Sequence, residues 1–284
     1  MKKFINLLLV AVVFQACVYV YFDRVVLIPA ATFSQQIITE ANKEAIDQQK
    51  ISSDQKYCAK IESAAVVFYS ADNRVVKELS LQTDDSVTFF TWVPNTHLAL
   101  IGISNSTSKG STVTLRAVNL DTNSMPQEPK ISGLATGAKI TEVAFSPLVN
   151  VTYMLISGRT SSLVYRTDAN NKLTKVFSSS TVKRIACLQN EDMLLYDNKQ
   201  DGSVYAQSNM SKKKMVSPKV GKYTLIGCDK DEFIYIGRLN STGLVTSVMK
   251  GSINGKFTDF QTLSTPLTAA SITVNYDGKI QLNQ

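Results

Sequence analysis

Lys212, Lys213, Lys214, Lys219 and Lys222 place five positive charges within eleven residues, with small or apolar residues between them. Ammonium groups this dense attract anionic surfaces such as phospholipid heads or an acidic envelope polymer. Each contributes about 1 kcal/mol when held near such a surface. A second set of side chains could meet a bound molecule: Asp85, Glu142, Arg184 and Tyr223. Acid–base work on a glycosidic bond needs two carboxyls held at a defined separation. Asp84, Asp85 and Glu142 are the candidate acids, but Lys183, Arg184, Lys222 and Tyr223 fill the corresponding places further along the chain. A site built from these groups is mixed or basic, which argues for binding rather than hydrolysis.

Other chemistries have no residues to carry them. His97 is the single histidine, and no GxSxG nucleophile elbow accompanies it, since Gly102-Ile103-Ser104-Asn105-Ser106 lacks the second glycine. Cys17, Cys58, Cys187 and Cys228 form no CxxC pair and no Cys/His ligand spacing, so no metal and no cofactor is expected. The net charge of +7 is modest for 284 residues, and outside the one cluster the lysines are scattered. Nucleic acid is therefore not an expected partner.

The polar candidates must be carried by the rest of the chain. Lys2 and Lys3 precede Phe4–Phe22, in which only Asn6 and Gln15 are clearly polar. At 1.5 Å per residue this run reaches about 28 Å, close to the hydrocarbon thickness of a bilayer. Tyr19, Tyr21 and Phe22 lie where an aromatic belt would, and the lysines set the N-terminus inside. The pattern predicts an uncleaved signal anchor. Cleavage near Ala31 fits less well, because the apolar run is long. Lipidation at Cys17 fits poorly, because Phe14-Gln15-Ala16 does not match a lipobox and the run continues past the cysteine. From Phe33 to Ser53 the sequence turns polar and helix-favouring, with Phe33, Ile37, Ala41 and Ala45 four apart, which predicts a helical stalk.

From Ala64 onward the chain repeats. Each unit has a strand end followed, six residues on, by an apolar position that opens the next strand. The pairs are Trp92/Leu98, Phe145/Val151, Cys187/Met193, Cys228/Ile234 and Val274/Ile280. Successive units are 53, 42, 41 and 46 residues apart. That spacing suits four-stranded units which cannot bury both faces alone and must stack. The last unit stops after two strands, and Ala64–Leu81 matches the missing half, with Tyr69 and Asp72 set against Tyr165 and Asp168. Pairing of Ala64–Leu81 with Ile272–Leu282 would close a ring of five and remove its open edges.

The Phe145-Ser146-Pro147 turn, the apolar second strand and the hairpin Val164–Val176 resemble the TolB-like and WD40-like propeller repeats of bacterial extracytoplasmic proteins. The likeness runs from Ala64 to the end. The SPDG turn survives only as Ser146-Pro147 and, separately, Asp277-Gly278, and the Trp-Asp dipeptide is missing. The resemblance implies an all-β, five-bladed propeller. The chain would then comprise an anchor over residues 1–31, a stalk over 32–57 and the propeller over 58–284. Cys187 and Cys228 fall at equivalent places in adjacent units, either as a staple or as small core residues, and the core reading suits free cysteine better. The functional expectation is a non-catalytic module, outside the cytoplasmic membrane, that docks a protein or an anionic envelope polymer. The alternative is a carbohydrate-active enzyme or a glycan-binding propeller. Propellers host all of these, so fold alone does not choose.

Overall fold

The computed structural model describes Gln15 and residues 49–122, 128–208 and 211–282. The expected anchor Phe4–Phe22 (Gln15 apart), Cys17 and the stalk up to residue 48 lie outside the described residues. No helix among the described residues is long and apolar enough to cross a membrane.

Five four-stranded antiparallel sheets follow one another along the chain, each with its strands paired in sequence order. The first sheet holds Gln49–Ile51, Tyr57–Ile61, Ala65–Ser70 and Val75–Ser80. The second holds Asp85–Trp92, Leu98–Thr107, Gly110–Asn119 and Lys130–Leu134. Lys139–Ser146, Val151–Ser157, Ser162–Thr167 and Leu173–Ser179 make the third. Ile185–Cys187, Met193–Asn198, Ser203–Ser208 and Lys214–Met215 make the fourth. Tyr223–Cys228, Ile234–Leu239, Val245–Gly251 and Thr258–Leu267 make the fifth. After a short 3-10 turn, Ala269–Ser271, the strands Ile272–Val274 and Ile280–Leu282 pair only with each other as a sixth, two-stranded sheet.

The residue patterns explain the order within each sheet. Val151–Ser157 is buried in six consecutive residues, because an inner strand has a neighbouring sheet on both faces. Ser203–Ser208 begins to alternate, and Val75–Ser80 is mostly exposed, as an outer strand should be. The apolar cores lie between consecutive sheets. Phe68 of the first meets Ile101 of the second, Val113 of the second meets Met154 of the third, and Leu155 of the third meets Leu194 of the fourth. Leu195 of the fourth meets Leu225 of the fifth, and Val248 of the fifth meets Ile272 of the sixth. Polar bonds cross the same boundaries one repeat apart. Trp92 Nε1–H donates to the Lys50 carbonyl at 3.1 Å, Ser146 Oγ–H to Gln189 O at 2.8 Å, and Cys228 Sγ–H to Cys187 O.

All five predicted strand-end pairs coincide with the observed end of one strand and start of the next to within a residue. Two expectations are corrected. Ala64–Leu81 does not complete the last unit. Ala65–Ser70 pairs with Tyr57–Ile61, which pairs in turn with Gln49–Ile51. A short turn brings these strands together, whereas the expected partner lies about 200 residues away at a far greater cost in loop closure. The helical stripe also does not reach Ser53, since Gln49–Ile51 is a strand. The six-residue step is present here as Ile51/Tyr57, but polar residues filling the turn and Lys60 within the strand hid it.

One polar cluster pins the third sheet to the fourth. Tyr153 Oη–H donates to Asp192 Oδ1 at 2.5 Å, and Arg166 Nη2 donates to Asp192 Oδ2 at 2.6 Å. Burial, with the Asp192 carboxylate, pushes the Tyr153 phenol well above its ordinary range, so it stays a donor. Asp192→Ala should cost about 3 kcal/mol in urea unfolding, because it orphans two donors, one of them charged. Tyr153→Phe should cost only about 1 kcal/mol. The reverse order would show that the carboxylate is not the centre of the cluster.

Candidate functional site

A cavity of about 710 Å³ opens where the third, fourth and fifth sheets converge with the Thr268–Ala270 segment. Its geometry starts from backbone irregularities. In the first strand of the third sheet the register slips, so that Leu155 faces Glu142 while Ile156 faces Ile140, leaving Thr141 as the extra residue. A bulge of this kind re-aims the neighbouring side chain. The first strand of the fifth sheet slips likewise between Leu225 and Gly227, leaving Ile226 as the extra residue.

Arg184, just ahead of the fourth sheet's first strand, reaches across this gathering. Its Nε lies 3.3 Å from Glu142 Oε1. Nη1 donates to the Ala269 carbonyl, and Nη2 donates to the Ile226 carbonyl at 3.4 Å. Glu142 Oε2 also accepts the Ile185 N–H at 2.6 Å. Burial pushes the Glu142 carboxyl up to about 7, and the Arg184 charge only partly offsets it. Asp197 is fully committed. Its Oδ1 accepts the N–H groups of Lys183 and Arg184 at 3.0 and 2.9 Å, and its Oδ2 accepts Thr224 Oγ1–H at 2.7 Å.

Of the four groups proposed from sequence for a channel mouth, three therefore share this cavity: Glu142, Arg184 and Tyr223. Asp85 does not. It accepts the Gln82 N–H and Asn105 Nδ2–H, each at 3.1 Å, beside a separate hollow of about 320 Å³ in the second sheet. Sequence reasoning missed Asp197, Lys199 and the Ala269 carbonyl. An acid interrupting the apolar run Met193–Asn198 was the available signal for the first.

The five clustered lysines are all exposed, but their surroundings differ. Lys214 Nζ donates to Ile253 O at 3.2 Å and to Asn254 Oδ1 at 2.9 Å, and Lys213 lies over the Tyr205 ring at 4.3 Å. Lys212 and Lys219 have no such partner among the described residues, and Lys222 lines the cavity. Cys187 and Cys228 are free thiols. Burial pushes Cys187 well above its ordinary value and Cys228 up to about 12, so neither is a ready nucleophile.

His97 serves as a clasp between the first two sheets. Its Nε2 meets Asp54 Oδ2 at 2.9 Å and its Nδ1 meets Asp121 Oδ1 at 2.6 Å. These hydrogen bonds raise the imidazole pKa. Burial alone would raise Asp54, but its bonds from His97 and Ser52 outweigh that and hold it well below the usual carboxylate range. Among the described residues no cluster of three or more His, Cys, Asp or Glu could hold a metal ion.

No family model matches this sequence, and no curated protein does. Solved structures do match in shape. TolB from Acinetobacter baumannii aligns with a TM-score of 0.50 at 13% identity, over 85% of this chain and 61% of TolB. Virginiamycin B lyase from Staphylococcus aureus gives 0.52 at 9% identity, over 79% and 71%. The fold resembles a TolB-like β-propeller. Porphyromonas gingivalis dipeptidyl peptidase 4 gives 0.51 at 12% identity, over 81% of this chain but 40% of that one. The chain thus spans about two-fifths of the peptidase and three-fifths of TolB. At these identities the likeness concerns the propeller fold and says nothing of the chemistry.

The titrating groups fix a pH dependence. Folding raises Glu142 from 4.5 to about 7, so the folded state binds more protons across that window and stability falls as pH rises through it. The raised His97 contributes fully below about pH 6.5, and that contribution is lost as pH rises through its folded value. The lowered Asp54 contributes above about pH 4, and that contribution is lost as pH falls through its folded value. The melting temperature should therefore peak near pH 4 and drop by about 5 °C between pH 5 and pH 8. Glu142→Gln should flatten the slope between pH 5 and 7, and His97→Gln the slope above it. A parent that melts at the same temperature at pH 5 and pH 8 would contradict both assignments.

Proposed function

We propose that this chain is a non-catalytic binding propeller, held outside the cytoplasmic membrane by Phe4–Phe22, that docks a protein or an anionic envelope polymer at the mouth of the large cavity. One observation carries the reading: both carboxylates of the cavity are used up in holding the wall, while cations line its mouth. Asp197 accepts three bonds and Glu142 accepts an amide and faces Arg184. Lys183, Lys199 and Lys222 remain exposed around them.

The carbohydrate-active alternative has one point in its favour. Glu142 shares the cavity with a second carboxylate, and burial holds it near the pKa of a general acid. Asp197, however, would have to give up its wall contacts to act as partner base. The solved structures of similar shape include a peptidase and a lyase alongside TolB, so they do not choose between the readings.

Two measurements test the proposal. The full chain in detergent should sediment with purified envelope polymer or a defined envelope protein, and Lys222→Glu should weaken that binding at least tenfold. It should turn over no glycoside. Hydrolysis of a glycoside that disappears in Glu142→Gln would replace the binding reading with the enzymatic one. The anchor is tested separately. The mature protein should retain Met1 or Lys2 and fractionate with membranes, and a terminus near Ala31 or a lipidated Cys17 by mass spectrometry would overturn it.

A further inference from the structure

The cavity holds three lysines whose backbones are fixed and whose charges are not. Lys183 N–H donates to Asp197 Oδ1 at 3.0 Å, and Lys199 N–H donates to Thr181 O at 3.0 Å. The Lys222 carbonyl accepts Leu239 N–H at 2.8 Å. The Lys222 stem is also seated. It lies across Gly202, where a Cβ would come within 2.8 Å of Lys222 Cγ, and Gly202 has a φ of +68° that favours glycine. None of the three ammonium groups has a hydrogen-bond or ion-pair partner among the described residues.

The rest of the wall is close to neutral. Arg184 faces Glu142 and two carbonyls and offsets the negative charge of the wall, in which Asp197 is 2% exposed and bonded at both oxygens. The charge left facing the opening is therefore that of the three lysines. Planar bidentate recognition of a carboxylate calls for a free guanidinium fork, and the one arginine lining this cavity is occupied. Compact ammonium charges lining one concave site suit a phosphate, whose oxygens accept from several directions. A volume of about 710 Å³ admits a small phosphorylated molecule or the end of a phosphate-bearing chain.

We propose that Lys183, Lys199 and Lys222 form a phosphate-recognition site at this cavity, binding a ligand with two or more negative charges. The inference rests on the reading of the mouth as the docking face, and it names the ligand class. It also moves the anion site away from Lys212, Lys213 and Lys214.

The test uses the full chain in lauryl maltoside with inorganic tripolyphosphate as probe, followed by titration calorimetry. Saturable binding should occur, weaken with added salt, and fall at least tenfold when Lys183, Lys199 and Lys222 are all changed to Gln. The control, Lys212, Lys213 and Lys214 all changed to Gln, should bind like the parent. Gly202→Ala, which displaces the Lys222 stem, should weaken binding while Lys222 is intact. Competition by micelles doped with phosphatidylglycerol would name a lipid headgroup as the phosphate source, and the lack of it would name a soluble or polymer phosphate. No saturable binding by the parent, or equal binding by the cavity triple variant, overturns the inference. If tripolyphosphate fails but envelope polymer still binds in a Lys222-dependent way, the docking face stands and the phosphate assignment falls. If both fail, the docking face falls too.

Discussion

The centre of this molecule depends on one guanidinium. Arg184 stands at the start of the fourth sheet, yet its nitrogens meet a carboxylate of the third, a carbonyl of the fifth and a carbonyl of the turn before the sixth. Among the described residues each apolar cluster joins one sheet to the next, and this side chain adds a polar link across several of them. The bulge that leaves Ile226 as an extra residue places its carbonyl where the arginine can use it. The bulge at Thr141 accompanies the turning of Glu142 towards the same charge. Irregularities in two ladders and one long side chain thus act as a single device.

That device also sets the electrostatics around it. A buried carboxylate would normally be paired or neutralised, and Glu142 does both in part, facing Arg184 while titrating near neutrality. Asp197 takes the other course and satisfies its charge with amide and hydroxyl donors. The two acids consequently strengthen the wall, and the character of the opening is left to lysines that have no structural duty. Shape and charge are separated: acids build and amines face outward.

Much of the architecture was legible in the sequence because an inner strand has to be apolar on both faces. Trp92, Phe145, Cys187, Cys228 and Val274 mark strand ends, each followed six residues later by an apolar start, and the structure places strand ends there. The first sheet was misread for the opposite reason. Its opening strands, Gln49–Ile51 and Tyr57–Ile61, are short and lysine-bearing, so composition hid a step that spacing preserved. The cavity was legible only in part. Glu142, Arg184 and Tyr223 occupy corresponding places in or just ahead of the first strands and so emerge from alignment of the repeats. Lys199 sits in a hairpin of another part of the unit, and the Ala269 carbonyl carries no side-chain signal at all. The local partners of the clustered lysines were not legible either: Lys213 lies over the Tyr205 ring and Lys214 bonds Asn254.

The sheet-to-neighbour packing has a mechanical consequence. Each apolar cluster among the described residues joins one sheet to the next along the chain. Units tied to their neighbours in this serial way can open one at a time, the least buried first. Amide exchange would then be graded, fastest in Gln49–Ile61 and Ile280–Leu282 and slowest around the third to fifth sheets, where Arg184 ties several layers together.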